Sequence, residues 1–416
     1  MAEFTARERL IAGMLSAMPG VKQAVKKVYV SVNALTHRKG YTQKVFMCDA
    51  PVSPVYGGEE ESFFGYYDKC PANGRGDVLM YLTSHPTRRN PSASLPITVA
   101  VSMADGTLKK LDATYAYNWQ QGARAQWLTD DLIIYNVFED NAYKAKVYSL
   151  EADSVVRTYD WPVQDAFANE YFLAIDYERI MAVRPDYGYR NRPRLTDEEL
   201  MSTRDVGIRQ VNIATGEVRM LIAMDDIVAC DHKEVFDRCV HVVNHLMISP
   251  EGRGLIFVHR FYEGKRRHDR LMYWNGADLK VLMDEDMVSH YCWVSEDELF
   301  GYMRCGGVNG FFFVNVKTGE TRPCAALNVL SHGDGHPTCC GSRIIVDTYP
   351  DKSRMQHLML YDMPSGRVEP IAEVYQSVRY MNQTRCDLHP RFGRDGKSVF
   401  FDSVFSGKRQ LCKLDL

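Results

Sequence analysis

"VNIATGEVRML", residues 211 to 221, decides the fold. Apolar and polar residues alternate up to a tight turn at Thr215-Gly216 and alternate again beyond it, which is the pattern of a β-hairpin. The signature recurs as "VSMADGTLKKL" at 101 to 111, "VYSLEADSVVRTY" at 147 to 159, "MYWNGADLKVL" at 272 to 282, "VNVKTGETR" at 314 to 322 and "LYDMPSGRVEPI" at 360 to 371. The turns are centred near residues 106, 152, 216, 276, 319 and 366. Self-similarity at about 40 to 50 residues, with four strands per unit, marks a β-propeller. The two longer intervals read as blades with loop insertions, such as "RPDYGYRNRPRLTDEELMSTRD" at 184 to 205.

Six hairpins close six blades. The C-terminal "RQLCKLDL" begins a seventh outer hairpin that lacks its last strand, and "TQKVFMCDAPV" at 42 to 52 is expected to supply it. A blade shared by both ends of the chain closes the ring and leaves no free sheet edge. The expectation is an all-β, seven-bladed propeller over residues 42 to 416, preceded by an α-helical extension over 1 to 41.

That extension is periodic. Leu10, Ile11, Met14, Leu15, Met18, Val21, Val25, Val28, Val32 and Leu35 recur at helical spacing, and Pro19-Gly20 is expected to divide the segment into two helices. Lys22, Lys26, Lys27, Arg38 and Lys39 give it a basic side. Such a helix either packs on the propeller or lies on an anionic bilayer, so peripheral membrane contact through residues 5 to 39 stays open.

Composition narrows the function classes. The chain is 45% hydrophobic and 25% charged, with a formal net charge of -3. No basic field favours nucleic acid. Eleven cysteines are scattered without a CxxC pair, as expected of reduced thiols in a cytoplasmic protein. No run approaches the ~18 apolar residues of a membrane span. Glu3 and Glu8 stand where an export signal would be positive, so no Sec export is expected. There is no Walker loop, GxGxxG, GxSxG or HExxH motif.

The chemistry-bearing residues emerge when the last four blades are aligned on the turn after their innermost strands. They read "VNHLMISPEG", "VSHYCWVSED", "DGHPTCCGS" and "DLHPRFGRDG". A histidine stands four or five residues before each turn: His245, His290, His336 and His389. Equivalent positions on successive inner strands converge on the channel mouth, so four imidazoles are expected to face one another beside Asp387. Imidazole and carboxylate suit manganese, zinc or iron, and imidazole also supplies a base near neutrality. The first three blades offer Tyr66, Tyr67, Asp68 and Lys69 in "FFGYYDKCP", Gln121, Arg124 and Gln126 in "NWQQGARAQWL", and Tyr177, Arg184, Tyr187 and Tyr189 in "IDYERIMAVRPDYGYR". Rings, arginines and amides of this kind suit a sugar acid, with Tyr67, Gln121, Arg124 and Tyr189 as candidate binding residues.

The histidine-bearing segments "VNHLMISPEG", "SHYCW" and "LHPRFGRDGKSVFF" resemble the oligogalacturonate lyase family of polysaccharide lyases. The similarity is clearest over residues 240 to 416. The resemblance implies a seven-bladed propeller with a divalent metal, usually manganese, at the channel mouth. It implies His245 as catalytic base, and His290 and His389 as ligands. Asp387 stands where the family has the first histidine of a His-Pro-His segment, and Gln383 lies near a family glutamine. His336 has no clear family counterpart but occupies the same layer. Arg260 or Arg184 would hold the substrate's acid group.

The implied activity is β-elimination on a uronic-acid-containing glycan. Asp387 adds negative charge near the uronate position, which points away from oligogalacturonide itself. Two other readings fit the same residues: a non-catalytic glycan-binding or assembly propeller in surface-polysaccharide biosynthesis, and a metal-dependent glycoside hydrolase or epimerase.

Overall fold

Each repeated hairpin is the outer half of a four-stranded antiparallel sheet in the computed structural model, which describes residues 19–47 and 51–416. Seven sheets follow one another, six of four strands and one, blade six, of five. Their innermost strands are Glu61–Phe63, Gln126–Trp127, Asp165–Phe167, Val240–Ile248, Val288–Trp293, Pro337–Cys340 and Arg391–Phe392. Strands run outward from these in sequence order in the first six blades. The sequence expectation of a seven-bladed propeller holds.

The core lies between blades. Phe300 and Phe313 of blade five meet Ile344, Val346 and Tyr361 of blade six. Phe63 and Tyr81 of blade one meet Ile133 and Tyr135 of blade two. Both faces of a middle strand are therefore covered. Leu255–Glu263 is buried for seven consecutive residues, so the alternation clear in the outer hairpins is lost in the interior.

Closure differs from the expectation. The strand completing blade seven is Ser53–Pro54, pairing with Lys413 and Cys412. The run expected to do this begins instead on blade six, where Gln43–Val45 adds a fifth strand against Ala372 to Val374. The physical reason is Glu373. Its carboxylate is almost completely buried at that edge and is met by Lys39 at 2.6 Å and by the Tyr41 hydroxyl. Satisfying a buried carboxylate anchors the chain at blade six before it crosses to blade seven. Pro54 is tolerated in the closing strand because an edge strand does not need every N–H.

A helix runs over Pro19–Thr36. Proline at its first position suits the start of a helix rather than its interior. Residues 5 to 18, expected to form a first helix, lie outside the described residues. Ala34 packs inward, whereas Val25, Val28, Val32 and Leu35 are exposed. No described helix is long and apolar enough to cross a membrane.

Blade three carries the long insertion between its second and third strands. Two short helices order it. Asp176 caps Tyr177–Val183 by accepting from the backbone N–H groups of Glu178 and Arg179. Thr196 and Glu199 form a capping box on Asp197–Met201. Each cap contributes about 1 kcal/mol. Together they carry Arg184, Asp186 and Tyr187 to the channel mouth.

Candidate metal centre and catalytic histidine

The strand register breaks where the inner histidines stand. In blade four the pairing shifts between Asn244 and Met247, and His245 takes a left-handed conformation with φ 53°. In blade five it shifts between Val288 and Tyr291, around His290. A bulge re-aims a side chain that a regular strand would send into the sheet. His389 also has a positive φ, 48°. The rings converge: His290 and His336 have centroids 4.0 Å apart, His336 and His389 4.3 Å, and His245 and His290 5.9 Å.

Hydrogen bonds assign the tautomers. His336 Nδ1 lies 2.9 Å from Asp347 Oδ1. His389 Nδ1 lies 2.8 Å from the carbonyl of Gly65. Carboxylate and carbonyl oxygens only accept, so each Nδ1 carries the hydrogen, and in the neutral ring each Nε2 presents a lone pair. Both Nε2 atoms are buried without a partner, and so is Asp387 Oδ1. The other Asp387 oxygen accepts from Arg385 Nε at 2.6 Å. His336, Asp387 and His389 offer ligand atoms that all lie within 4.8 Å of one another. Buried, unpartnered acceptors are costly unless something occupies the space between them. Two imidazoles and a carboxylate fit a divalent manganese, zinc or iron ion.

Electrostatics separates the four histidines. Burial holds the His245 imidazole well below its ordinary pKa, reinforced by His290, Arg184 and His336. Burial depresses His290 likewise, against the opposing pull of Asp334, whose carboxylate is 3.2 Å from its Nδ1. His389 is pushed well down by burial and by His336. For His336 burial works downward too, but Asp347, its hydrogen bonds and Asp387 outweigh it and raise the pKa. His245 is therefore neutral at pH 7 and able to accept a proton. Its Nδ1 is 2.6 Å from the hydroxyl of Tyr66, which stacks on it at 5.3 Å. Tyr187 closes the other side edge-on at 5.0 Å.

No protein-family model matches the sequence, and neither does any curated protein. Solved structures do. An oligogalacturonate lyase in complex with manganese superposes with a TM-score of 0.61 at 14% identity, covering 90% of this chain and 96% of that one. A second oligogalacturonate lyase, from Vibrio parahaemolyticus, gives a TM-score of 0.59 at the same identity and coverage. The fold is that of oligogalacturonate lyase. At this identity the likeness covers the fold, and the chemistry rests on this chain's own residues.

Not every expected residue joins the cluster at the channel mouth. His290 abuts His336 but falls outside the ligand group. Gln383 accepts a hydrogen bond from Arg190 through its side-chain oxygen. Arg184 lies 4.8 Å over the ring of Tyr187, with one guanidinium nitrogen unpartnered. Arg260 faces Asp269 at 3.1 Å, across the second and third strands of blade four. Tyr67 reaches across the ring to Tyr291 and lies 5.4 Å from His336. Arg124 is engaged by Asp68 through two bonds of 3.0 and 2.7 Å and by the carbonyl of Gln164. Tyr189 stacks on Tyr177 at 4.2 Å, and its hydroxyl accepts from Asn136. Gln121 is buried in the turn after Asn118, whose side chain holds its N–H. Arg124 and Tyr189 thus spend their polar groups on the fold.

Sequence reading missed Asp334, Asp347, Arg385 and the role of Tyr66. Asp334 had a signal: "DGHP" in blade six repeats "DLHP" in blade seven, with an acid two residues before each histidine. Asp347 has none, since it looks like any aspartate at a strand end.

Proposed function

We propose that this propeller is a divalent-metal-dependent lyase that cleaves a uronic-acid-containing oligosaccharide or polysaccharide by β-elimination. The observation that carries the reading is the convergence of three bare, buried acceptor atoms on His336, Asp387 and His389 beside a neutral imidazole, His245. Manganese is the metal in one similar structure and suits this oxygen- and nitrogen-donor set. When bound, the cation supplies charge stabilisation to the uronate carboxylate as C5 loses its proton. His245, whose Nδ1 lies 2.6 Å and whose Nε2 lies 3.4 Å from the Tyr66 hydroxyl, accepts that proton. Arg184, with its unpartnered nitrogen, holds the acid group. Tyr187 and Tyr66 keep the His245 ring fixed and shield it from water. The electron pair left at C5 forms the C4–C5 double bond as the C4–O4 bond breaks, and the departing oxygen takes a proton from water, leaving an unsaturated sugar.

One observation favours a second reading. The ligand residues are only 1 to 3% exposed, and closed metal sites with all-protein ligands are often structural. A glycan-binding propeller with a structural metal would have this property. Incubating manganese-loaded protein with a panel of uronate oligosaccharides and following absorbance of the new C4–C5 double bond separates the two. Unsaturated product establishes the lyase. Retention on a glycan array without product establishes the binding module.

The exposed Val25, Val28, Val32 and Leu35, with the exposed Lys26 and Lys27 on the same helix, support peripheral attachment to an anionic bilayer. Co-sedimentation with phosphatidylserine vesicles tests this, and an unchanged result with Val28→Glu/Val32→Glu removes it.

A further inference from the structure

We propose that Asp347 is the positioning residue of the metal centre, one carboxylate that sets two ligands on neighbouring blades. The inference rests on the metal reading above but draws on a separate observation. Asp347 ends the second strand of blade six, Arg343–Asp347, and is buried. Its Oδ1 accepts from the backbone N–H of His336 at 2.7 Å and faces that residue's Nδ1 at 2.9 Å. Its Oδ2 accepts from the backbone N–H of His389 at 3.0 Å and lies 3.0 Å from His336 Nδ1.

Three consequences follow. The His336 ring is held as the tautomer whose Nε2 lone pair is free, because its Nδ1–H is spent on the carboxylate. The His389 backbone is held at φ 48°, a left-handed conformation that costs a non-glycine residue about 1 kcal/mol and persists only where its surroundings enforce it. Asp347 grips its N–H while the Gly65 carbonyl grips its ring, so both ends of the residue are fixed. Finally, the two ligands belong to different blades, and no local backbone geometry relates them. The shared carboxylate does.

Asp347→Asn keeps the side chain's shape and replaces one oxygen with a donor. Of the N–H groups now facing the carboxylate, at least one from His336 or His389 then meets another donor. That clash lowers the variant's stability by itself, so a control is needed. Asp77 is also a buried carboxylate, accepting from Asn73 and Ala104 in blade one, away from the mouth. Asp77→Asn reports the cost of losing such bonds without touching the ligands.

The experiment is calorimetric titration of metal-stripped protein with Mn2+, at a temperature where all three proteins are folded, together with the electron paramagnetic resonance spectrum of the bound ion. Asp347→Asn should weaken Mn2+ binding about 10- to 100-fold and broaden the spectrum, while Asp77→Asn binds like wild type. Equal binding and spectra for wild type and Asp347→Asn overturn the positioning role and leave the metal reading standing. An equal loss in Asp77→Asn also overturns it, since the effect is then general. Absence of binding by wild type, with Mn2+, Zn2+ and Fe2+ alike, overturns both.

Discussion

One strand of blade four, Val240–Ile248, carries buried histidines of two kinds. His241 belongs to a closed chain. Arg270 can only donate, so His259 Nδ1 accepts from it, at 2.9 Å from Nη2. His259 Nε2 then carries hydrogen and donates to His241 Nδ1 at 2.9 Å, and His241 Nε2 donates to the carbonyl of Phe236 at 2.9 Å. Every ring nitrogen has a partner. Four residues further on, His245 meets His290 at the mouth, and beyond His290 the rings of His336 and His389 each keep a bare, buried Nε2. Both groups are buried and both contain adjacent imidazoles. Burial and clustering alone therefore do not mark a reactive histidine. What sets the mouth apart is that two unspent lone pairs, on His336 and His389, stand together with Asp387, whereas the bare Nε2 of His268 belongs to no such group among the described residues.

The sharpest way to break this contrast is at His245. His245→Ala should lower kcat on a cleaved uronate by about 10²- to 10⁴-fold while metal content and thermal midpoint stay near wild type. A folded, metal-loaded and fully active variant would remove His245 from the mechanism. Next come the ligands. His389→Ala and His336→Ala should each lower bound Mn2+, measured by elemental analysis after dialysis, to a small fraction of wild type. His259→Ala should keep its metal in full. Metal loss in His259→Ala would collapse the distinction between the two groups.

The closed chain predicts a smaller effect, on stability. His259→Ala leaves Arg270 and His241 each short of a partner in a buried site, so chemical denaturation should show a loss of about 1 to 3 kcal/mol. The weakest effect is the pH dependence of that stability. Burial and the nearby Arg270 guanidinium hold His259 well below its ordinary value, and burial foremost lowers His241. Unfolded histidines titrate near about 6.5. Below that pH the unfolded chain takes up protons that the native pair refuses. Stability is therefore fully present above about pH 6.5 and declines on acidification toward the depressed native values. Melting curves from pH 7.5 to 5.5 should show a shallower decline in His259→Ala than in wild type. Parallel declines would mean that the buried pair is not neutral.

Much of the mouth was legible because a propeller repeats. Once the blades are aligned on their turns, His245, His290, His336 and His389 share a position, and equal positions on inner strands must meet at the axis. Asp387 came with His389 through its spacing. Asp347 was not legible, because its effect runs through backbone N–H groups of residues far from it in sequence. Gln383, Arg260 and Arg124 show a related limit. Sequence places each near the mouth, but the partner each takes, Arg190, Asp269 and Asp68, depends on how loops and strands pack. The closing strand was misplaced by a few residues for the same reason. Residues 42 to 54 carry two short extended runs, and the buried carboxylate of Glu373 decides which blade receives the first.

The amino-acid sequence by itself determined the blade count, the inner-strand layer of histidines and the absence of a nucleotide-binding or hydrolase motif. Those follow from period, turn chemistry and residue type, which are local properties of the chain. Tertiary structure alone decided which of those histidines keep a free nitrogen. That depends on whether a carboxylate, a carbonyl or another ring arrives at hydrogen-bond distance from a different blade, and such directional contacts are set only when the ring of blades has closed.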